Sequence, residues 1–181
     1  DVEHALSVGS AAQRTFRDDV ARMGKTALAA IKQRGGRGIV LAGRPYHGDP
    51  EIGHGIAGLL RECGFAVLSE DMLLFAEGSI EVQESKLSGW FYPDRVLSAA
   101  RATTAFDKIE FMELYSFGCG LDALTVDCAR DIIEDSEKVF TALKIDEMVD
   151  LASIRIRVRS MIAAHERRSF EKRGLPEDDG K

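Results

Sequence analysis

Gly38-Ile39-Val40-Leu41-Ala42-Gly43 is an apolar run of strand length, closed by a glycine at each end. A polar turn, Arg44-Pro45-Tyr46-His47-Gly48-Asp49-Pro50-Glu51, follows it directly. An apolar run without polar alternation is the pattern of a strand buried on both faces, as in a parallel sheet covered by helices. On its N-terminal side, Phe16, Val20, Met23, Ala27 and Ile31 recur at steps of three and four. That spacing predicts an amphipathic helix over 10–34, stopped by Gly35-Gly36. On its C-terminal side a helix over 52–62 ends before Gly64, and Phe65-Ala66-Val67-Leu68 reads as a second strand with Ser69-Glu70-Asp71 just past it.

Further along, 72–89 has no clear period and reads as irregular with one short helix, long enough for a lid or contact surface. Pro93 suits the first turn of a helix through Val96, Leu97 and Ala100. Ile109 to Tyr115 is a third strand, followed by Ser116-Phe117-Gly118-Cys119-Gly120 and a helix over 122–134 with Leu124, Cys128 and Ile132 on one face. A fourth strand over 139–145 ends in Asp146-Glu147. A last helix over 150–168 buries Leu151, Ile154, Val158, Met161 and Ile162. Strand and helix alternate four times, which predicts an α/β, Rossmann-like three-layer domain with a parallel sheet of about four strands, right-handed crossovers and an extra N-terminal helix. The expected organisation is an N-terminal amphipathic helix over 1–36 packing on the domain, the Rossmann-like domain over 37–168, and a disordered, charged tail over 169–181.

Composition narrows the function classes. The 181 residues carry a formal net charge of -6, with 45% hydrophobic and 30% charged residues. That balance argues against a general nucleic-acid surface, where a basic footprint is expected. No apolar run approaches the roughly 18–20 residues that span a bilayer, and residues 1–10 lack a secretory signal. Three cysteines without a CxxC point to a reducing, cytoplasmic compartment. A chain that begins at Asp1 rather than Met reads as a fragment of a longer protein.

In a parallel α/β sheet the loops leaving the C-terminal strand ends share one edge, and ligands bind there. Here those loops carry Arg44, Tyr46, His47 and Glu51, then Glu70 with Asp71, then Ser116 with Cys119, and finally Asp146 and Glu147. They are candidates to line a cleft, and as single residues each is equally consistent with a solvated polar loop. His54, at a helix start, joins the candidates, although packing or capping also accounts for it. Arg155, Arg157 and Arg159 read as a solvated helix flank, with a CoA or phosphate partner as the alternative. His165, on a surface helix, has no specific role in this reading.

Gly53-His54-Gly55-Ile56-Ala57-Gly58 matches GxGxxG, with Glu70 or Asp71 near the spacing of a ribose contact. A dinucleotide turn, however, sets its first glycine at the strand end, so that the helix N-terminus meets the pyrophosphate, and here Gly53 follows Gly43 by about nine residues. Gly24-Lys25-Thr26 resembles the end of a phosphate-binding loop but lies inside a helix with no preceding strand. Cys119, between two glycines at a strand-to-helix turn, has three open roles: packing, ligation of a cluster in a larger assembly, or a nucleophile with His47 as base.

These residues also carry a family resemblance. The stretch from Leu41 to Ile56, Ser116-Phe117-Gly118-Cys119-Gly120 with Asp122-Ala123, Lys144-Ile145-Asp146-Glu147, and Arg155-Ile156-Arg157-Val158-Arg159-Ser160 resemble a signature of CoA-substrate-specific enzyme activases of the 2-hydroxyacyl-CoA dehydratase type. The resemblance spans about residues 11–168 and falls in the dehydratase-like region of those large proteins. It implies iron–sulfur, low-potential electron transfer, with ATP hydrolysis driving an electron into a dehydratase-like partner, and Rossmann-like subdomains whose clusters are held by cysteines from several segments. Cys119 matches a position able to supply one ligand. The chain departs from the pattern in lacking an ATPase module and further loop cysteines. The resemblance therefore implies a [4Fe–4S]-type site only in the full-length protein, other domains of the same polypeptide as partners, and a piece that is inactive and without a cofactor alone. A cysteine-dependent hydrolase or transferase using Cys119 and His47, or a nucleotide-binding Rossmann module, are the alternatives.

Overall fold

The computed structural model describes residues 1–78, 89–116, 118, 120–145 and 151–172. It is a doubly wound α/β domain. In chain order the elements are α1 (Val2–Arg34), β1 (Arg37–Gly43), a 3-10 turn (Pro45–Gly48), α2 (Ile56–Glu62), β2 (Phe65–Ser69), α3 (Glu70–Glu77), α4 (Phe91–Thr104), β3 (Ile109–Tyr115), α5 (Gly120–Asp135), β4 (Phe140–Lys144) and α6 (Leu151–Lys172). The four strands form one sheet in the order β2-β1-β3-β4. Every neighbouring pair is parallel, with Val40 level with Leu68 on one side and Phe111 on the other. The expected class, a four-stranded parallel sheet between helical layers, is the observed one.

The central strands are apolar because both of their faces are covered. Val40, Ala42, Ile109 and Phe111 pack with α1, α3, α4 and α5. Ile39, Met112 and Leu114 pack with α2 and α6 through Ile56, Leu60, Ile154, Val158 and Met161. In α6, Ile154, Val158 and Met161 are buried as the periodicity predicts, and Ile162 is half-buried. The helix runs to Lys172, and the rest of the tail expected to be disordered, 173–181, lies outside the described residues.

Three elements differ from expectation. Helix α3 starts at Glu70, immediately after β2, where the sequence reads as irregular. The Ser69 side chain accepts the Met72 N–H at 3.2 Å and caps it, with Glu70 and Asp71 in its first turn, an arrangement that favours helix initiation. Helix α2 starts at Ile56 rather than 52, because 49–55 is taken up by turns, with Gly53 N–H bonded to the Asp49 carbonyl at 2.8 Å. Helix α1 starts at Val2, capped by Asp1, and only its C-terminal part packs on the domain. Ile31 is buried, whereas Phe16 and Met23, expected on the buried face, are exposed.

The packed part of α1 explains Gly24. A Cβ at that position would run into the Met72 carbonyl and sit 3.0 Å from the Ala76 Cβ, so the glycine sets the close approach of α1 to α3. Gly24→Ala should therefore destabilise the chain by about 2–3 kcal/mol in urea unfolding, the steric cost outweighing the roughly 1 kcal/mol that alanine gains in a helix. A neutral or stabilising result would show that the two helices separate freely.

His165 departs from its sequence reading as well. It is buried on α6, and its Nδ1 meets the Glu110 carboxylate of β3. Arg168 reaches the same carboxylate at 3.4 Å. Burial holds the His165 imidazole below its ordinary range against the pull of Glu110, with Arg168, Arg37 and Lys138 adding to the lowering. The pair ties α6 to the middle of the sheet.

Candidate functional site

Strands β1 and β3 are neighbours whose chain continuations leave in opposite directions, to β2 on one side and β4 on the other. This topological switch point opens a crevice at the C-terminal strand ends. Strand β1 ends at Gly43, where a Cβ would lie 2.7 Å from His47 Nδ1. Glycine is thus required for the 3-10 turn to fold back over the strand end.

That turn fixes His47. Its Nδ1 accepts the Arg44 backbone N–H at 3.1 Å, so the ring proton resides on Nε2, which stands 2.7 Å from Ser116 Oγ. In this tautomer Nε2 donates to the serine oxygen. The imidazole is buried, and burial holds its pKa below the ordinary 6.5, with Asp122 pulling upward and Arg44 pushing down. Tyr46 sets its ring edge-on to His47 at 4.6 Å. The Arg44 side chain crosses the crevice to Asp122, in the first turn of α5, at 2.7 Å. Two side-chain ties therefore join the β1 loop to Ser116, just past β3, and to the first turn of α5.

On the other side of β1, Glu70 is buried at the start of α3. One carboxylate oxygen accepts the Gly43 N–H at 3.2 Å and the other accepts Arg95 Nε at 3.0 Å. Burial raises the Glu70 pKa, and Arg95 and the Gly43 N–H hold it back. Arg95 also pairs with Asp71. A cleft of about 280 Å³ lies here, lined by Arg44, Pro45, His47, Ser69, Glu70 and Asp71 over an apolar floor that includes Leu68 and Leu114. A smaller cavity of about 20 Å³ lies on the β3 side, among Arg44, Glu113, Asp122 and Thr125, room for about one water molecule.

Of the residues expected to line a cleft, Arg44, His47, Glu70 and Ser116 come together, with Tyr46 against His47. Glu51 is exposed, and half-buried His54 takes a positive φ of 46° in the turn before α2; neither lines the two cavities. Cys119, Asp146 and Glu147 lie outside the described residues. Asp122, Arg95 and Glu113 complete the cluster without having been expected there. A signal for Glu113 was present, because an acidic residue within a strand covered on both faces must be buried.

The geometry bears on the alternatives. Gly53 packs against its own loop, where a Cβ would be 2.6 Å from the His47 carbonyl oxygen. It opens no phosphate turn at a strand end, and α2 begins only at Ile56. Both His47 ring nitrogens are engaged, which leaves the imidazole without the free acceptor that a general base needs. Arg155 stands 3.6 Å from Glu62 and Arg157 Nη1 donates to the Ala142 carbonyl at 3.4 Å, so part of the basic run is occupied within the domain. Among the described residues no group of three or more His, Cys, Asp and Glu is placed to hold a metal ion. Cys63 and Cys128 are free thiols packed against opposite faces of the sheet. The described side chains therefore do not by themselves fit a cluster's ligand set.

Residues 1–73 match the family model described as CoA enzyme activase uncharacterised domain (DUF2229). Over these residues, about two fifths of the chain, the sequence is similar to that family. No curated protein and no solved structure matches the chain. The matched segment runs from α1 into α3 and so contains Gly43, Arg44, His47 and Glu70. Their partners Arg95, Ser116 and Asp122 come from residues beyond it. Among the described residues no helix is long and apolar enough to cross a membrane.

Proposed function

We propose that the chain is the Rossmann-like, non-catalytic part of a CoA-substrate-specific enzyme activase with a dehydratase-like region, contributing Cys119 to an iron–sulfur electron-transfer site of the full-length protein. The match of residues 1–73 to a CoA enzyme activase domain carries this reading. The resemblance extends it through Ser116–Gly120 and Arg155–Ser160 to the rest of the chain. The crevice supports the non-catalytic part. His47 serves as a hydrogen-bond donor to Ser116 rather than as a base, and Arg44 is drawn to Asp122. Cys119 falls in sequence between Ser116 and Asp122, the two residues that these ties anchor.

A cluster held in the full-length protein would supply low-potential electron-transfer chemistry; Cys119 would be this chain's ligand to it, and the remaining thiolates would have to come from other domains of the same polypeptide. Anaerobic reconstitution of the full-length protein tests the assignment. Cys119→Ser should lower the iron bound per chain and the visible cluster absorbance relative to the unmodified protein. Iron content equal to the unmodified protein would remove Cys119 from the ligand set.

A further inference from the structure

Glu113 lies on β3 one residue before Leu114, is 3% exposed, and its Oε2 has no hydrogen-bond partner. It shares the small cavity at the β1–β3 crevice with Arg44 and Asp122. The charged groups around it are already engaged with others. Arg44 of the β1 loop pairs with Asp122 of α5. Arg95 of α4 holds Glu70 and Asp71 of α3. Arg130 of α5 bonds Asp127 at 2.9 Å. Tyr92 of α4 also lines the cavity. Glu70, Glu113 and Asp122 thus bring three buried carboxyl groups to one crevice, and two of them have an arginine at bonding distance. A third buried carboxylate without a partner is costly, and the group stays neutral instead.

We propose that Glu113 is a proton-operated latch between β3 and the first turn of α5: protonated, it sits uncharged behind Asp122 and the Arg44–Asp122 tie stays closed, and release of its proton drives that tie open. Opening gives the ionised carboxyl water and separates it from Asp122, so the closed form binds one proton more than the open form. The direction of the Glu113 pKa agrees. Burial first, then Asp122 and Glu70, push it up to about 8, against a weaker lowering by Arg130. By linkage, the opening constant rises by up to about tenfold per pH unit between the carboxyl's ordinary range and about pH 8, and levels off above it.

Amide hydrogen exchange of the 181-residue chain, corrected for intrinsic rates, reads this opening. Between pH 6 and pH 8, amides in the first turn of α5 and in the β1 loop should lose protection by tenfold or more, while Glu113→Gln should show no such change. Carboxyl carbon-13 NMR of Glu113 in the unmodified chain gives an independent reading. Its midpoint should lie near pH 8 and fall in Asp122→Asn. Constant protection across this range, the same loss of protection in Glu113→Gln, or a midpoint in the ordinary carboxylate range would overturn the latch.

Discussion

Lys138→Met should destabilise the chain by about 3–5 kcal/mol, one of the two largest effects expected of a single substitution. Lys138 is 9% exposed, and its Nζ donates to the Thr103 carbonyl at 3.1 Å, to the Ile109 carbonyl at 2.7 Å and to the Phe106 carbonyl. These carbonyls come from the end of α4, the connection after it and the first residue of β3. A single ammonium thereby satisfies a helix C-terminus and a strand entrance at once, where a positive charge is also favoured by the helix dipole. Methionine preserves most of the side-chain volume but removes three charge-assisted hydrogen bonds, and the Thr103 and Phe106 carbonyls keep only their backbone donors, the Phe106 N–H at 3.1 Å and the Ile109 N–H at 3.2 Å. A hydrogen bond to a charged group contributes about 1.5–3 kcal/mol. Urea unfolding of the two proteins measures the difference, and a loss below about 1 kcal/mol would mean that water takes over the ammonium's role.

The second large effect has the opposite sign and depends on pH. The Glu113 carboxyl is raised from 4.5 to about 8 in the folded chain. The folded state therefore holds a proton that the unfolded state releases between those values. The stability contributed by this proton is fully present below about pH 4.5, declines as pH rises and is lost once pH passes about 8. Glutamine keeps the shape and cannot ionise, so Glu113→Gln should gain on the unmodified chain as pH increases. The gain approaches about 1.4 kcal/mol per pH unit, on the order of 3 kcal/mol at pH 7 relative to pH 5 or below. Taking the difference between the two proteins cancels the titration of His47 and His165, which are not among the groups acting on Glu113. A difference that stays flat from pH 5 to pH 8 would mean that Glu113 is ionised in the folded chain.

Legibility in the sequence followed the range of the interaction. The run from Gly38 to Gly43 announced a two-faced buried strand because double burial leaves only apolar residues in it. Strand β3 is equally plain, and its two glutamates are the exceptions to the apolar pattern. Glu110 and Glu113 are the residues that a covered strand must explain, and they anchor the two clusters of buried charge. The start of α3 was also present, as Ser69 followed by two acidic residues, but apolar Met72 to Phe75 has no period by which to separate helix from strand. In α1 the spacing of Phe16 and Met23 is helical, and both lie in the helix. Periodicity, however, does not say how far the body extends beneath a helix, and both side chains are exposed.

The site followed the same rule. Fold class alone gathered Arg44, His47, Glu70 and Ser116 at one sheet edge. Their pairing depended on β1 lying beside β3, which no local pattern encodes. Arg44 and Asp122 are 78 residues apart in sequence and 2.7 Å apart in space. The tautomer of His47 rests on the Gly43 backbone bringing the 3-10 turn back over the strand, a consequence of conformation rather than of composition.

The central claim is that the crevice at the β1–β3 switch point is a closed tie and not a catalytic base. Nitrogen-15 NMR of His47 tests it most directly. The account predicts a neutral imidazole protonated at Nε2, with Nδ1 as the hydrogen-bond acceptor and a titration midpoint below 6.5. A ring protonated at Nδ1, with Nε2 free to accept a proton and a midpoint at or above 6.5, would contradict it.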